Sequence, residues 1–372
     1  MEVAILGLPN SGKTTVFNAL TRGSAEVVPY ASGASGQSGP NVGVARTHDP
    51  RIDLLVSLFS PKRTVLSEVT YSEVPAAPEG LGKTQSISGL YLNSIQRADA
   101  LLVVVRAFEN ESVAHAGDGL DPARDAETML YELAFADLEI LDRRLARLAD
   151  GLKGAKAAER DPIAREQALI ERLKDGLESG THIRDQPLAR DDAHFLEGFQ
   201  LLTAKPLMVL LNLGEDEAAE GAAHPESLRP LLDGPDTKSA RCAAFCGKLE
   251  MELSQMEPAD EQEFRASLGL SESGLDLMLR MTHEVTDVIT FFTGNTNEVR
   301  AWAVPRGTSA VNAAGKIHSD MSRGFIRAEV VAYDDMERCG TLAEARRQGV
   351  LRQEGKGYIV KDGDIVNILF NV

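Results

Sequence analysis

The sequence predicts an α/β protein that opens on a phosphate-binding loop, carries a helical hairpin in its middle and ends in a small strand-rich domain. Three observations carry this: a strand–loop–helix run over residues 2–20, two further apolar runs of the kind that fill a parallel sheet, and a leucine seam at helical spacing over residues 126–180. The first strand is Glu2-Val3-Ala4-Ile5-Leu6, and Val16, Phe17, Ala19 and Leu20 follow at helical spacing. Between them lies Gly7-Leu8-Pro9-Asn10-Ser11-Gly12-Lys13-Thr14, which fits the pattern GxxxxGK[ST] in its required setting. Glycines let the backbone fold around phosphates so that amide N–H groups and the helix N-terminus face the anion. Lys13 then supplies a point charge, and Thr14 a hydroxyl for Mg²⁺.

The runs Ala100–Val105 and Leu207–Leu211 read as buried parallel strands. Residues 31–40 (ASGASGQSGP) have no apolar period and read as a surface loop, either a plain linker or a switch segment. From Ala126 onward, Leu130, Leu138, Leu141, Leu145, Leu148 and Leu152 form a narrow seam; after a break at Gly151–Gly154, Ile163, Ile170, Leu173 and Leu177 continue it. An antiparallel hairpin follows, with Arg143, Arg144, Arg147, Lys153, Lys156 and Arg160 around its tip, either a solvated face or an RNA contact. Residues 214–263 read as acidic, solvated connections around short elements. The tail offers strands at Phe325–Val331, Gly357–Lys361 and Ile365–Phe370, with Asp362-Gly363 as a turn.

The chain has 372 residues, 39 Lys and Arg against 56 Asp and Glu, and a net charge of −17. Residues 290–372 carry 11 basic and 10 acidic side chains, so the acidic excess lies upstream. Such a body repels duplex nucleic acid, which argues against a sequence-specific DNA binder and restricts any RNA contact to local basic surfaces. No apolar run approaches a membrane span, and no basic flank precedes the apolar start, so a cytoplasmic protein without a membrane partner is expected. Cys242, Cys246 and Cys339 cannot form a disulfide framework and read as small buried residues.

Four segments, GLPNSGKTTVFNALT, PNVGVARTHDPRID (40–53), LDPARDAETMLYELAFADLE (120–139) and GTSAVNAAGKIHSDMSRGFIRAEVVAYDD (307–335), resemble the YchF family of Obg-related P-loop NTPases. The resemblance implies an α/β P-loop NTPase domain with an inserted α-helical coiled-coil domain and a C-terminal β-grasp (ubiquitin-like) TGS domain. The expected boundaries are 1–122 plus 200–281 for the NTPase domain, 123–199 for the helical insertion and 282–372 for the TGS-like domain. It also implies an ATP- or GTP-hydrolysing switch with Mg²⁺, associated with the ribosome or RNA through the helical hairpin and the TGS-like domain. The alternative is a diverged nucleotide-binding module with little or no hydrolysis. A small-molecule kinase would need an acceptor pocket and a basic lid, and neither can be identified.

The resemblance assigns nucleotide binding to Asn10, Ser11, Gly12, Lys13, Thr14 and Thr15, with Thr14 on the metal. Its base-recognition motif falls on Asn212-Leu213-Gly214-Glu215, an Asn-x-x-Glu variant that goes with ATP; the short Asp that reads guanine is absent, while the Asn212 amide can satisfy either purine. The loop over the base falls on Cys246-Gly247-Lys248, where Cys replaces the family's Ser. The family's Asp-x-x-Gly falls on Glu73-Val74-Pro75-Ala76: Glu73 keeps a carboxylate for Mg²⁺ through water, but Pro75 removes a donor and Ala76 a flexible glycine. The Thr-bearing switch loop is replaced by the tract Ser32–Ser38. His115, in the loop 108–117, stands where the family has a candidate catalytic histidine. In the tail His318, Arg323 and Arg327 are candidate polar contacts, and Phe325 and Ile326 are expected in the sheet core.

Overall fold

A computed structural model describes residues 1–25, 40–47, 49–74, 87, 89–110, 119–154, 156–217, 240–270 and 272–371. Its contacts divide the chain into two compact units, Met1–Ala45 with Thr70–Val285, and Arg46–Val69 with Thr286–Val372. Residues 46–69, which the sequence reading places with the NTPase domain, therefore group with the C-terminal residues. The helical residues group with the first unit.

The first unit is built on the strands β1 (Glu2–Leu6), β2 (Asn41–Thr47), β4 (Ser67–Glu73), β5 (Ala100–Ala107), β6 (Leu207–Leu213) and β7 (Ala240–Phe245), in the order β2-β4-β1-β5-β6-β7. From β4 to β7 every pairing is parallel, so these strands end at one edge, where an open parallel sheet places its ligand site. β5 is buried at all but its last residue and β6 throughout, as their unbroken apolar runs require of strands covered on both faces. Helix α1 (Lys13–Thr21) follows β1, and α3 (Gly89–Arg97) precedes β5. Tyr91 and Ile95 of α3 join Leu101, Val103, Val105, Leu207, Val209 and Leu211 in the core of this unit.

Helices α4 (Pro122–Gly154) and α5 (Ala157–Glu178) realise the leucine seam. The helix runs through Gly151 and ends at Gly154, later than the expected break. Arg144 pairs with Glu166 at 2.5 Å and Asp142 with Lys174 at 2.6 Å, so moving back along α4 moves forward along α5 and the two are antiparallel. Leu141, Leu148, Ile170, Leu173 and Leu177 form their shared core, with Leu196 of α6 (Arg190–Leu196). The fully buried Asp137 accepts from the backbone N–H of Leu202 and of Thr203 at 2.8 and 2.7 Å and from the Thr203 hydroxyl at 2.6 Å. It fixes α4 to the chain that enters β6.

The second unit has the sheet β11-β10-β12-β8-β9-β3, made of β3 (Arg63–Val65), β8 (Val288–Gly294), β9 (Glu298–Pro305), β10 (Phe325–Val331), β11 (Arg352–Glu354) and β12 (Ile365–Phe370). β8 and β9 form an antiparallel hairpin, β12 lies parallel to β8 between it and β10, and the helix Ala310–Ile317 packs Ala310, Ala313 and Ala314 beneath: the β-grasp order. β3 adds a parallel strand at the β9 edge, and α2 (Arg51–Phe59) buries Ile52 and Leu55 with Phe292 and Val299.

Four expectations are corrected, two of them in the tail. Gly357–Lys361 is not a strand: Val360 N–H bonds to Thr308 O and the Tyr358 carbonyl accepts from Ala310, so the segment braces the start of a helix, and the short strand lies at Arg352–Glu354 instead. Ile326 is 59 % exposed, because β10 turns only Phe325 of that pair inward. Only Cys246 of the three cysteines is buried; Cys242 is exposed. Nor are residues 214–263 only solvated connections, since Glu250 and Glu261 are buried against Arg265.

Replacing Asp137 by Ala leaves two backbone donors without an acceptor in the interior. The expected loss is about 2–4 kcal/mol, read as an earlier urea midpoint by circular dichroism, with Thr203→Val costing less.

Candidate functional site: a phosphate loop facing a base cleft

A cavity of about 720 Å³ opens at the carboxyl edge of the parallel sheet. Asn10, Gly12, Lys13, Thr14, Thr15, Asn212, Leu213, Glu215 and Cys246 line it, together with Glu73. Ser11 and Gly247 stand directly behind the lining, each bonded to Asn212: the Asn212 amide donates to Ser11 O at 3.0 Å, and its Oδ1 accepts from Gly247 N–H at 2.9 Å.

The loop between β1 and α1 has the conformation its residues permit. Gly12 has φ +89°, and a Cβ there would lie 2.1 Å from Asn212 Nδ2. At Gly7 a Cβ would lie 2.3 Å from Val104 O, so no side chain fits at either position. Asn10 takes φ +63°, which asparagine tolerates better than most residues. Lys13 Nζ donates to Gly7 O at 3.1 Å and Leu8 O at 2.9 Å, which holds the ammonium inside the curve of the loop. Burial lowers its pKa to about 8, and the nearby Glu73 carboxylate opposes that shift.

Glu73, at the end of β4, accepts from the Thr14 hydroxyl at 2.5 Å and from Asn41 Nδ2 at 2.8 Å. Hydroxyl and carboxylate oxygens side by side are a hard donor set, which suits Mg²⁺ when phosphates and water complete the shell. Thr14 and Glu73 would hold that ion, and when bound it would neutralise charge developing on the phosphates. Among the described residues no group of three or more His, Cys, Asp or Glu forms a metal cluster, so a closed protein-only metal site is not found there.

On the base side, Glu215 pairs with Lys248 at 2.6 Å, both side chains more than half exposed. Cys246 caps the helix Gly247–Leu253, its Sγ accepting from Leu249 N–H at 3.5 Å, and burial raises the thiol pKa. Phe108 also lines the cavity, beside Gly214 and Gly12. The Arg106 guanidinium lies 4.7 Å from the Phe108 ring centroid and donates through Nε to Phe108 O at 3.1 Å. Arg106 lies in β5 and Phe108 directly after it; neither is marked by the sequence, because an Arg in an apolar run and a Phe in a polar loop carry no spacing signal. Asn41 was missed likewise. His115, Pro75, Ala76 and Ser32–Ser38 lie outside the described residues.

The Asn212 side chain lines the cavity and also braces the two loops, donating to Ser11 O and accepting from Gly247 N–H.

Family models match residues 2–132, as "50S ribosome-binding GTPase", and residues 288–371, as the YchF-GTPase C-terminal family, "Protein of unknown function (DUF933)". Curated relatives named "Ribosome-binding ATPase YchF" are 35 % identical in Bacillus subtilis (strain 168), over 100 % of both chains, and 34 % identical in Escherichia coli O157:H7, over 100 % of this chain and 99 % of the relative. The chain belongs to the YchF family. The solved Schizosaccharomyces pombe YchF GTPase superposes with a TM-score of 0.85 at 26 % identity, covering 99 % of this chain and 97 % of that one. This YchF-family chain is thus a nucleotide-binding P-loop protein with a TGS-like C-terminal domain, the fold class expected from its sequence.

Two predictions follow from the phosphate loop. Gly12→Ala should abolish nucleotide binding, measured with a fluorescent nucleotide analogue, since the new methyl meets Asn212 at a strained φ. Phosphate selects the charged form of Lys13, whose pKa without nucleotide is about 8, so affinity should fall as pH rises through that value. Between pH 7 and 9 the dissociation constant is expected to rise about tenfold, and a flat profile would rule out Lys13 as the titrating group.

Proposed function

We propose that this chain is an ATP-hydrolysing switch that associates with the ribosome in the cytoplasm. The observation that carries the ATP assignment is the base side of the cavity: Glu215 is paired with Lys248 at the rim, in the position where a guanine-reading carboxylate would have to be free. An aspartate in that role accepts from two guanine donors at once, and a longer carboxylate already engaged by a lysine is a poor substitute. Adenine offers the opposite pattern there and gains nothing from a carboxylate acceptor at its N1.

Mg²⁺ between Thr14, Glu73 and the phosphates, Lys13 on the terminal phosphates and the amides of residues 10–15 around them are the working parts of this reading. The ribosome enters through the relatives, whose printed names describe ribosome-binding ATPases. Support from the chain itself is a helical hairpin with clustered arginines, and a second compact unit with the β-grasp order.

Phosphate release from Mg·ATP and Mg·GTP, measured in parallel, tests the reading. ATP turnover should exceed GTP turnover, and Lys13→Ala should lower both by at least about a hundredfold. Glu215→Asp should move the ratio toward GTP by about tenfold. Tight nucleotide binding without release above the Lys13→Ala blank would instead establish a nucleotide-binding module that works without hydrolysis.

A further inference from the structure

We propose that Arg106 is a positioning residue that ties the loop bearing Phe108, on the nucleotide cleft, to the first turn of α4, so that the root of the helical hairpin is a working part of the nucleotide site. This rests on nucleotide binding in the cleft described above.

Arg106 is the one charged residue of β5 (ALLVVVRA) and is only 3 % exposed. A guanidinium is costly to bury unless its donors and its charge are both matched. The donors are matched by the chain that follows the strand. Nε donates to Phe108 O at 3.1 Å and Nη2 to Asn110 O at 3.3 Å, and the guanidinium carbon lies 4.7 Å from the Phe108 ring centroid. Phe108, Glu109 and Asn110 all line the cleft. The Phe108 ring comes within 3.8 Å of the Cβ position at Gly12, and its own Cβ within 3.7 Å of that at Gly214, so this side chain stands between the phosphate loop and the base-side loop. A short polar loop offers such a ring little packing, and a cation against one face fixes its plane. Leu or Val at 106 would continue the apolar run of β5 and leave the loop without these three contacts.

The charge is matched from two sides. Glu109, on the cleft loop, and Asp125, in the first turn of α4, both favour the cation against its burial. Asp125 and Arg106 line, with Ser11 and Met129, a second cavity of only about 10 Å³, so their charges act over a short and poorly screened distance. The partial positive charge at the N-terminus of α4 repels a guanidinium, and an acidic residue in that first turn reverses the sign. Arg124 holds the Asp125 carboxylate at 3.0 Å, and Met129 and Leu133, one and two turns further on, are buried in the core of the parallel-sheet unit. The anchor to which Arg106 ties the loop is therefore fixed.

The test is the ADP affinity of the full chain by calorimetry, with wild type, Arg106→Gln, Phe108→Ala and the double variant as a cycle, each checked for folding by thermal melting. Arg106→Gln should weaken ADP about tenfold, and Arg106→Lys, which keeps a cation on the ring, only about threefold. Because Arg106 acts through Phe108, Arg106→Gln should cost less than about twofold in the Phe108→Ala background. Asp125→Asn should weaken ADP about threefold with Phe108 present and not in its absence, and it carries the test if Arg106→Gln does not fold. Unchanged affinity in Arg106→Gln, full additivity of the two substitutions, or a Lys variant no better than Gln would each overturn the proposal. No ADP binding by the wild type would overturn the nucleotide site itself, which failure of the variants alone would not.

Discussion

The buried amide of Asn212 holds the P-loop backbone at Ser11 O and the base-side turn at Gly247 N–H, and a Cβ on Gly12 would run into it. Each of these constraints needs the others. Gly12 takes a left-handed φ, which brings the loop close enough for Asn212 to reach; Asn212 lies at the end of β6, whose position is set by seven parallel partners on β5. A buried amide left with one end unbonded would cost more than its bond contributes, so the two loops are locked together or both released. The distance between phosphate end and base end of the cleft is thereby fixed by protein contacts before any ligand contributes. That is preorganisation in its plainest form: the ordering cost is met in folding and not in binding.

The metal side is less tightly determined. Thr14, Glu73 and Asn41 meet through side-chain bonds alone; Asn41 starts β2 and Glu73 ends β4, and it is the opposite end of each strand that runs into residues 46–69. The residues between, 46–69, are anchored in the second unit by β3 on β9 and by Arg51, which reaches Asp49 and Asp362 at 2.7 Å each. Both strands that carry oxygen and amide groups to the metal side are therefore covalently continuous with a segment folded into the other unit. A ligand that displaces Glu73 acts on a strand whose far end, Ser67–Val69, belongs elsewhere.

Strands of both sheets were legible where their signals are local. β1, β10 and β12 have the bounds their apolar runs suggest, and the GxxxxGK[ST] spacing leads to the loop that lines the cleft. What sequence could not give was the use of side chains whose partners are remote. The motif at Asn212 does not show that its amide also bridges Ser11, 201 positions away, and Gly247. Asn41 and Arg106 carry no periodicity and become visible only through what they touch. The failed strand at Gly357–Lys361 has a similar cause: alternation there reflects one buried residue, Val360, in a segment whose hydrogen bonds go to a helix start and not to a ladder. The placement of 46–69 escaped for the same reason, because a three-residue strand has too little pattern to announce its partner.

The helix that follows Cys246 shows how the base side is kept in register without a sheet beneath it. Glu250 accepts both Nη groups of Arg265, at 2.8 and 2.7 Å, and the Gly274 N–H at 2.9 Å. Arg265 Nε donates to Glu261 at 3.1 Å, and Glu261 in turn accepts from Arg22, at the C-terminal end of α1, at 3.0 Å. The helix that starts at the phosphate loop and the helix that starts at the base loop are thus joined at their far ends by a chain of charges, as they are joined at their near ends by Asn212. Burying Arg265 with Glu250 and Glu261 adds little net stability, since desolvation of the ions offsets most of their attraction, but leaving one of these three unpaired would cost about 3–5 kcal/mol. Its contribution is therefore geometric. An apolar contact would tolerate sliding between the two helices, whereas a bidentate Arg–carboxylate pair fixes both distance and angle.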